Sequence, residues 1–475
     1  MNNFLTQTEI EVTDLKLATI FKNMQGNILK GHGRNHATMI FVSFIGTKVQ
    51  PIKDALRIFA TEQVTSFYKQ LWERERYKRN KVPGDTFSSL FISSKGYEIL
   101  EKGKKKLTDD AFKEGMFARS KKLSDNPKKF EGWHNDDTHA MMLVADDDKT
   151  KMDKLVIQLL QNWEDVFNIN HIEYGDAIHN QNGDGLEHNG YVDGISQPLF
   201  LKDEVETYIK NHNIKRDKNV ANEGFIFNPI KTPGLVLLQD PYAKGVAAKE
   251  SFGSYFVFRK LEQNVQAFKN EEEQIGDTLY LNDEDKERAG ARLVGRFEDG
   301  TPIQIQGEDK LIGSGAFNNF VYDSNKQVED PSGGLCPHFA HIRKTNPRLD
   351  GKFDDHTMAR RGIPYGHRNV DIEIPNIHAK QFPTGGVGLL FMSYQQSIVN
   401  QFEHIQIKFA NAIDARIADD GVDPVIGQSH RKLYHFPDDG DIKLGATLDH
   451  TFNQHVQFKG GEYFFTPSIT YLHSL

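Results

Sequence analysis

Three short segments hold the residues of this chain best suited to chemistry, and each lies among glycines and prolines rather than on a solvated helix face. The first, Gly190-Tyr191-Val192-Asp193-Gly194-Ile195-Ser196-Gln197-Pro198, sets one carboxylate between glycines. Glycine permits tight turns and close backbone approach to a bulky ligand, and a carboxylate in such a place can take up and return a proton. The second, Cys336-Pro337-His338-Phe339-Ala340-His341-Ile342-Arg343-Lys344-Thr345-Asn346-Pro347-Arg348, gathers two imidazoles and three cations. Imidazole is the commonest side-chain ligand of a transition metal, and guanidinium groups beside it suit carboxylate partners. The third, Arg360-Arg361-Gly362-Ile363-Pro364-Tyr365-Gly366-His367-Arg368, positions arginine for an anion or a developing negative charge. Each has a bland reading taken alone: a turn-capping aspartate, a structural histidine, an exposed basic loop. The order acid, histidine, arginine in one chain gives them weight together.

The elements that must position these segments are legible in part. Ala37 to Ile45 reads as a strand and Ile52 to Arg74 as a helix, from their apolar spacing. Thr86 to Ser93 and His139 to Ala145 read as strands, Lys151 to Asp165 as an amphipathic helix with acid at its start, and Phe167 to Tyr174 as a strand. This is the β-α-β-β-α-β order of a ferredoxin-like unit, with an insertion between its second and third strands. Gly175 to Leu199 is a Gly-, Asn- and Asp-rich loop, of a length that is usually functional or a linker. The second half repeats the pattern less cleanly: strand Ser254 to Phe258, helix Leu261 to Phe268 and beyond, an irregular Gly-rich region, strand Gly386 to Tyr394, helix Gln396 to Ala412 and strand Glu462 to Phe465. The expected fold is α+β, with tandem ferredoxin-like domains at 1–200 and 201–475, enlarged by helical and loop insertions. A cleft of the second domain is the expected place for a large ligand.

Composition narrows the chemistry. The 475 residues are 38% hydrophobic and 26% charged, with 58 Lys and Arg against 66 Asp and Glu, a formal charge of −8. That balance argues against a nucleic-acid partner. No run approaches the roughly 18 apolar residues of a membrane span, and the amino terminus lacks the basic start and apolar run of a secretory signal, so a cytoplasmic protein is expected. The one cysteine, Cys336, excludes an intramolecular disulfide framework and cysteine-built zinc or iron–sulfur sites. With 19 histidines available, any metal is held by nitrogen and oxygen or arrives inside a cofactor.

At these motifs the sequence resembles the dye-decolourising peroxidases, haem enzymes built of two ferredoxin-like domains. GxxDG matches Gly190 to Gly194, HIRKTNPR matches His341 to Arg348, and RRGIPYG matches Arg360 to Gly366; Gln25 to Leu29 also looks like the family's start. The resemblance spans nearly the whole chain, and the HIRKTNPR form points to the larger members. It implies one haem b per chain, with His341 as axial iron ligand, Asp193 as distal acid–base and Arg360, rather than Arg361, as distal arginine. It further implies that Gly194, Ile195, Ser196, Asn346, Pro347 and Arg348 line the haem, with Leu389 and Phe391 on the distal face. Asp423, in Gly421 to Gly427, resembles the acid that orients the axial histidine; its rival, Glu403, reads as a solvated or salt-bridged residue on a helix. Gly362 stands where some relatives carry a distal asparagine.

The implied activity is reduction of hydrogen peroxide with one-electron oxidation of bulky dyes, phenols or other organic donors. A carboxylate base keeps its working form at lower pH than an imidazole would, so activity is expected toward the acid side. Trp72, Trp133 and Trp163 are nominal surface electron relays. Two rival readings are a haem-binding or haem-transfer protein, and a metallohydrolase built on His338, His341 and His367 with Asp354 or Asp355. An oligomer is compatible with the sequence.

Overall fold

A computed structural model of the chain describes residues 3–46, 49–135, 137–216, 224–305, 317–322, 330–348, 356–368, 370, 378–415 and 420–475. The first half contains β1 (His36–Phe44), α1 (Val49–Glu62), α2 (Phe67–Asn80), β2 (Phe87–Ser93), β3 (Ala140–Asp146), α3 (Lys149–Asn162) and β4 (Phe167–Asp176). Its strands lie in the antiparallel order β4-β1-β3-β2, the ferredoxin-like arrangement. The single helix expected over Ile52 to Arg74 is two helices. The chain breaks at 63–66, where the Ser66 hydroxyl accepts the Lys69 N–H at 3.1 Å and caps α2.

The second half contains β5 (Phe252–Gln263), α4 (Val265–Leu279), α5 (Asp283–Val294), α6 (His341–Thr345), β6 (Ile363–Tyr365), β7 (Gly388–Gln395) and β8 (Val456–Thr466). Its strands repeat the same order, β6-β7-β5-β8, and β8 pairs with β2 to join the halves into one sheet. The free ends of that sheet meet. A Cβ on Gly175 of β4 would lie 2.5 Å from Ile363 of β6, so glycine is what lets the two edges close on each other.

Three expectations need correction. Leu261 to Gln263 continue β5, with Leu261 opposite Leu389, and the helix starts only after Asn264, whose side chain accepts the Ala267 N–H at 3.0 Å. The Gln396 to Ala412 helix is π-helical over Val399–Glu403 and Ile405–Ala410, with the Glu403 N–H on the Ile398 carbonyl at 2.9 Å; such turns cluster at functional sites. Arg360 and Ile363 to Tyr365, read as loop, pair with β7.

Alternation along the strands sorts side chains into two cores. Phe41, Phe91, Met141, Phe256, Met392 and Phe464 pack together inside the closed sheet. Ile40, Val42, Ile92 and Val144 face outward beneath Leu56, Phe59 and Val156 of α1 and α3. On the second half the outward positions are Val257, Arg259, Leu261, Leu389 and Phe391, and there the covering layer stands off and leaves a cavity. No helix among the described residues is long and apolar enough to cross a membrane.

Candidate active site

The cavity lies between the outer face of β5 and β7 and a cover made by the 187–196 loop, α6 and the π-helical segment. The loop is a short hairpin. Leu186 bridges Val192, and the Asp193 N–H bonds the Gly185 carbonyl at 2.9 Å. Gly190 and Gly194 take φ of +97° and +78°, conformations that disfavour a Cβ, and these bends present Asp193 to the cavity.

Arg360 meets it there. Its Nη1 donates to Asp193 Oδ1 at 3.0 Å, its Nη2 donates to the Ser196 carbonyl at 3.3 Å, and its backbone N–H donates to Gln197 Oε1 at 3.1 Å. Pairing of Ala359–Arg360 with Ser393 and Tyr394 fixes the backbone. Arg361 points elsewhere: Nε and Nη2 donate to the carbonyls of Asn27 and Ile28 at 2.8 and 2.9 Å. Burial pushes its guanidinium down to about 10, although Tyr394 and Glu204 act the other way. Gly362 borders the cavity, and a Cβ there would sit 3.3 Å from Leu389.

His341 opens α6. Its Nδ1 is 2.8 Å from Asp423 Oδ2, while Asp423 Oδ1 accepts the N–H groups of Val425 and Ile426 at 2.8 and 2.9 Å. Burial alone would push the Asp423 carboxyl up, but His341 and the two amides outweigh it and hold it below its usual range. Burial likewise opposes charge on His341, and Asp423 overcomes it, raising the imidazole. With Nδ1 engaged, Nε2 is the nitrogen left to face the cavity. Glu403 is elsewhere. It is buried rather than solvated, and its oxygens take Arg119 Nε at 2.8 Å, Arg119 Nη2 and the Tyr463 hydroxyl at 3.0 Å.

Gly194, Ile195, Ser196, Asn346, Pro347, Arg348, Leu389 and Phe391 all border the same cavity. Asn346 Nδ2 donates to Ser196 Oγ at 3.3 Å and so ties the histidine segment to the aspartate segment. Arg348 is held by the carbonyls of Asn318 and Phe320 at 2.9 and 2.8 Å, and Asn318 Oδ1 also accepts from a second buried guanidinium, Arg296. Neither arginine forms an ion pair with a carboxylate among the described residues, and Arg348 Nε is buried without an acceptor. Burial first, then the Arg348 charge, push Arg296 down to about 9. A metal-donor nitrogen, apolar walls and uncompensated buried cations together fit an anionic group that carries a metal.

Sequence reasoning missed Glu187, a carboxyl on the Asp193 hairpin that borders the cavity and accepts Gln263 Nε2 at 2.7 Å. Its place six residues before Asp193, across the Gly190 bend, was the available signal. Phe402 and Gln406 of the π-helical segment were missed as well. The three-histidine alternative is not assembled among the described residues: His338 and His367 do not border the cavity, His338 Nε2 bonds the Pro331 carbonyl, and Asp354 and Asp355 lie outside the described residues. The described side chains that do converge as metal ligands are Glu131, His171 and Glu173, where Lys260 Nζ already sits 3.0 and 2.7 Å from the two carboxylates. None of the tryptophans borders the cavity. Trp72 is exposed under Arg76, Trp133 stacks on His171, and Trp163 packs on Phe59.

Residues 23–177 match the family described as "DyP dimeric alpha+beta barrel domain", and residues 242–420 match "Dyp-type peroxidase, C-terminal". The chain is 37% identical to the multifunctional dye peroxidase DyP2 of Amycolatopsis sp., covering 96% of each. It is 26% identical to Peroxidase 2 of Mycetinis scorodonius over 94% of this chain and 86% of that protein. Among solved structures, the DyP-type peroxidase of Anabaena sp. is similar with a TM-score of 0.86 at 33% identity, covering 99% of both chains. The two matched family domains, with relatedness along nearly the full length, establish that the chain belongs to the dye-decolourising peroxidase family, whose members are haem-dependent.

Proposed function

We propose that this cavity holds one haem b on His341 Nε2 and reduces hydrogen peroxide with electrons from organic donors such as bulky dyes and phenols. The observation that carries the reading is that one cavity is bordered both by the Asp193–Arg360 pair and by the His341–Asp423 pair. Bound haem would supply the two oxidising equivalents. The chain's own residues do the rest. Asp423 fixes the His341 tautomer and strengthens Nε2 as a donor. Asp193 takes a proton from peroxide and returns it to the oxygen that leaves as water. Arg360, held in place by Asp193 and Ser196, offers its positive charge to the negative charge that develops as the O–O bond breaks. Leu389 and Phe391 keep that space apolar, and Arg348 and Arg296 offer positive charge to the haem carboxylates.

The division into units at 1–200 and 201–475 is supported by the repeated strand order and the two matched stretches.

Visible spectroscopy of the haemin-loaded protein tests the reading. Wild type should show a histidine-ligated spectrum that changes with one equivalent of peroxide and reverts with a phenol or anthraquinone dye; His341→Ala should lose that ligation. Protein that cannot take up haemin would contradict the reading. Uptake with no response to peroxide would leave a haem carrier.

A further inference from the structure

We propose that Glu187 is a second working carboxyl of this cavity, a proton store that refills Asp193 during donor oxidation; this rests on the peroxidase reading above. Three observations carry it. Glu187 and Asp193 occupy opposite legs of one hairpin, locked by the Leu186–Val192 bridge and by the Glu187 N–H on the Tyr191 carbonyl at 3.0 Å, and both side chains border the cavity. Among the described residues no cation pairs with Glu187, whereas Asp193 has Arg360. The partner Glu187 does have is neutral: Gln263, only 2% exposed, donates Nε2 to Glu187 Oε2 while its own Oε1 is buried without a donor. A protonated Glu187 carries the kind of donor this oxygen lacks, and a carboxylic acid and a primary amide can satisfy each other's donor and acceptor together.

The groups that act on Glu187 agree with this. Burial raises it first, then the charge of Asp193 on its own hairpin; the Gln263 hydrogen bond from β5, His341 from α6 and Arg360 beside β7 pull the other way, and the result is a carboxyl pushed up to about 7. Two neighbouring carboxyls, one paired with arginine and the other with an amide, form a base and an acid in one cavity.

The stoichiometry gives the acid a task. Hydrogen peroxide and two donors AH yield two waters and two radicals A•. Each donor O–H bond breaks, its electron reducing the oxidised enzyme and its proton entering the cavity. Cleavage of peroxide leaves Asp193 with no proton in hand, since the one it took has left with the first water. For each donor oxidised, Glu187 hands one proton to Asp193 through cavity water, Asp193 passes it to the oxygen that becomes the second water, and Glu187 is recharged from that donor, so two turns deliver the two protons this water needs.

Glu187→Gln tests this with two readouts. In infrared spectra of the haem-free protein, wild type should lose an un-ionised carboxyl absorption as pH rises through about 7, and the variant should lack that component. Subtracting the variant separates it from Glu272, Glu287 and Glu462, whose carboxyls are also raised. In the haem-loaded protein at pH 7, the donor half of the cycle should slow roughly a hundredfold, the lower end of what a positioned proton donor contributes. The peroxide half should slow less, and the deficit should shrink at pH 5, where solvent protons are abundant. Gln263→Leu, which keeps the carboxyl and removes the hydrogen bond that lowers it, should move the infrared titration to higher pH. Identical infrared titrations in wild type and variant overturn the proposal, as does equal slowing of both half-reactions. If wild type itself fails to react with peroxide, the peroxidase reading falls and the store with it, and the infrared result tells the two failures apart.

Discussion

Asp193 and Arg360 form a half-buried pair whose strength comes from position, and the adjacent Arg361 shows how local that position is. Arg360→Leu should cut the rate with peroxide roughly 10²- to 10³-fold, the effect of losing one charge-stabilising donor, with little change in thermal stability. Arg361→Leu should do the reverse. It frees the carbonyls of Asn27, Ile28 and Arg360 and should cost about 2 kcal/mol in a denaturant titration, while the rate with peroxide stays near that of wild type. The resemblance at RRGIPYG chose Arg360 over Arg361 on motif position alone. What separates them is the alternation of the short strand Ala359–Arg360 against β7, which turns one side chain to the cavity and the next to the Gln25 to Leu29 segment.

At the scale of elements, the two carboxylates considered for the axial histidine serve different structures. Asp423 caps the 424–426 turn and reaches His341; Glu403 anchors the π-helical segment to Arg119 and Tyr463. Asp423→Asn should weaken haem retention about 10- to 100-fold, as loss of such a partner to a metal ligand does, measured as haemin transfer to an acceptor protein. Glu403→Ala should unfold the protein more readily by about 3 kcal/mol, because it leaves the Arg119 guanidinium buried without its main partner. Most strands were legible to within a few residues, since β1 to β3 and β7 are buried on both faces and are rich in apolar residues. β5 was cut short at Phe258 because the charged Arg259 and Lys260 follow it and Lys260 and Glu262 are weak strand formers, and pairing with β7 and β8 overrides them. The π-helical spacing has no marker in side-chain periodicity, so Phe402 and Gln406 could not be placed.

For the whole molecule, closure of two ferredoxin-like sheets through β8 and β2 buries histidines that have no part in the cavity's chemistry. His134 and His188 are each held neutral, pushed down to about 4 mainly by burial. Unfolding lets them take protons at their ordinary value of 6.5, so the unfolded state binds more protons between pH 6.5 and 4 and stability falls as pH drops through that window. Thermal melts should show this loss, on the order of 1–3 kcal/mol per histidine, and His188→Gln should flatten it. Acid conditions that suit a carboxylate base therefore also weaken the fold. Tandem domain order was legible because it is written in the succession of elements; the joining of the halves and the meeting of β4 with β6 were not, because they depend on contacts between residues far apart in sequence. Asp193 is the group on which proton transfer in the cavity turns, and stopped-flow mixing of the haem-loaded protein with hydrogen peroxide measures its part. Asp193→Asn should bind haem with the wild-type spectrum yet react about 10²- to 10⁴-fold more slowly; an Asp193→Asn rate and pH profile matching wild type would contradict the account.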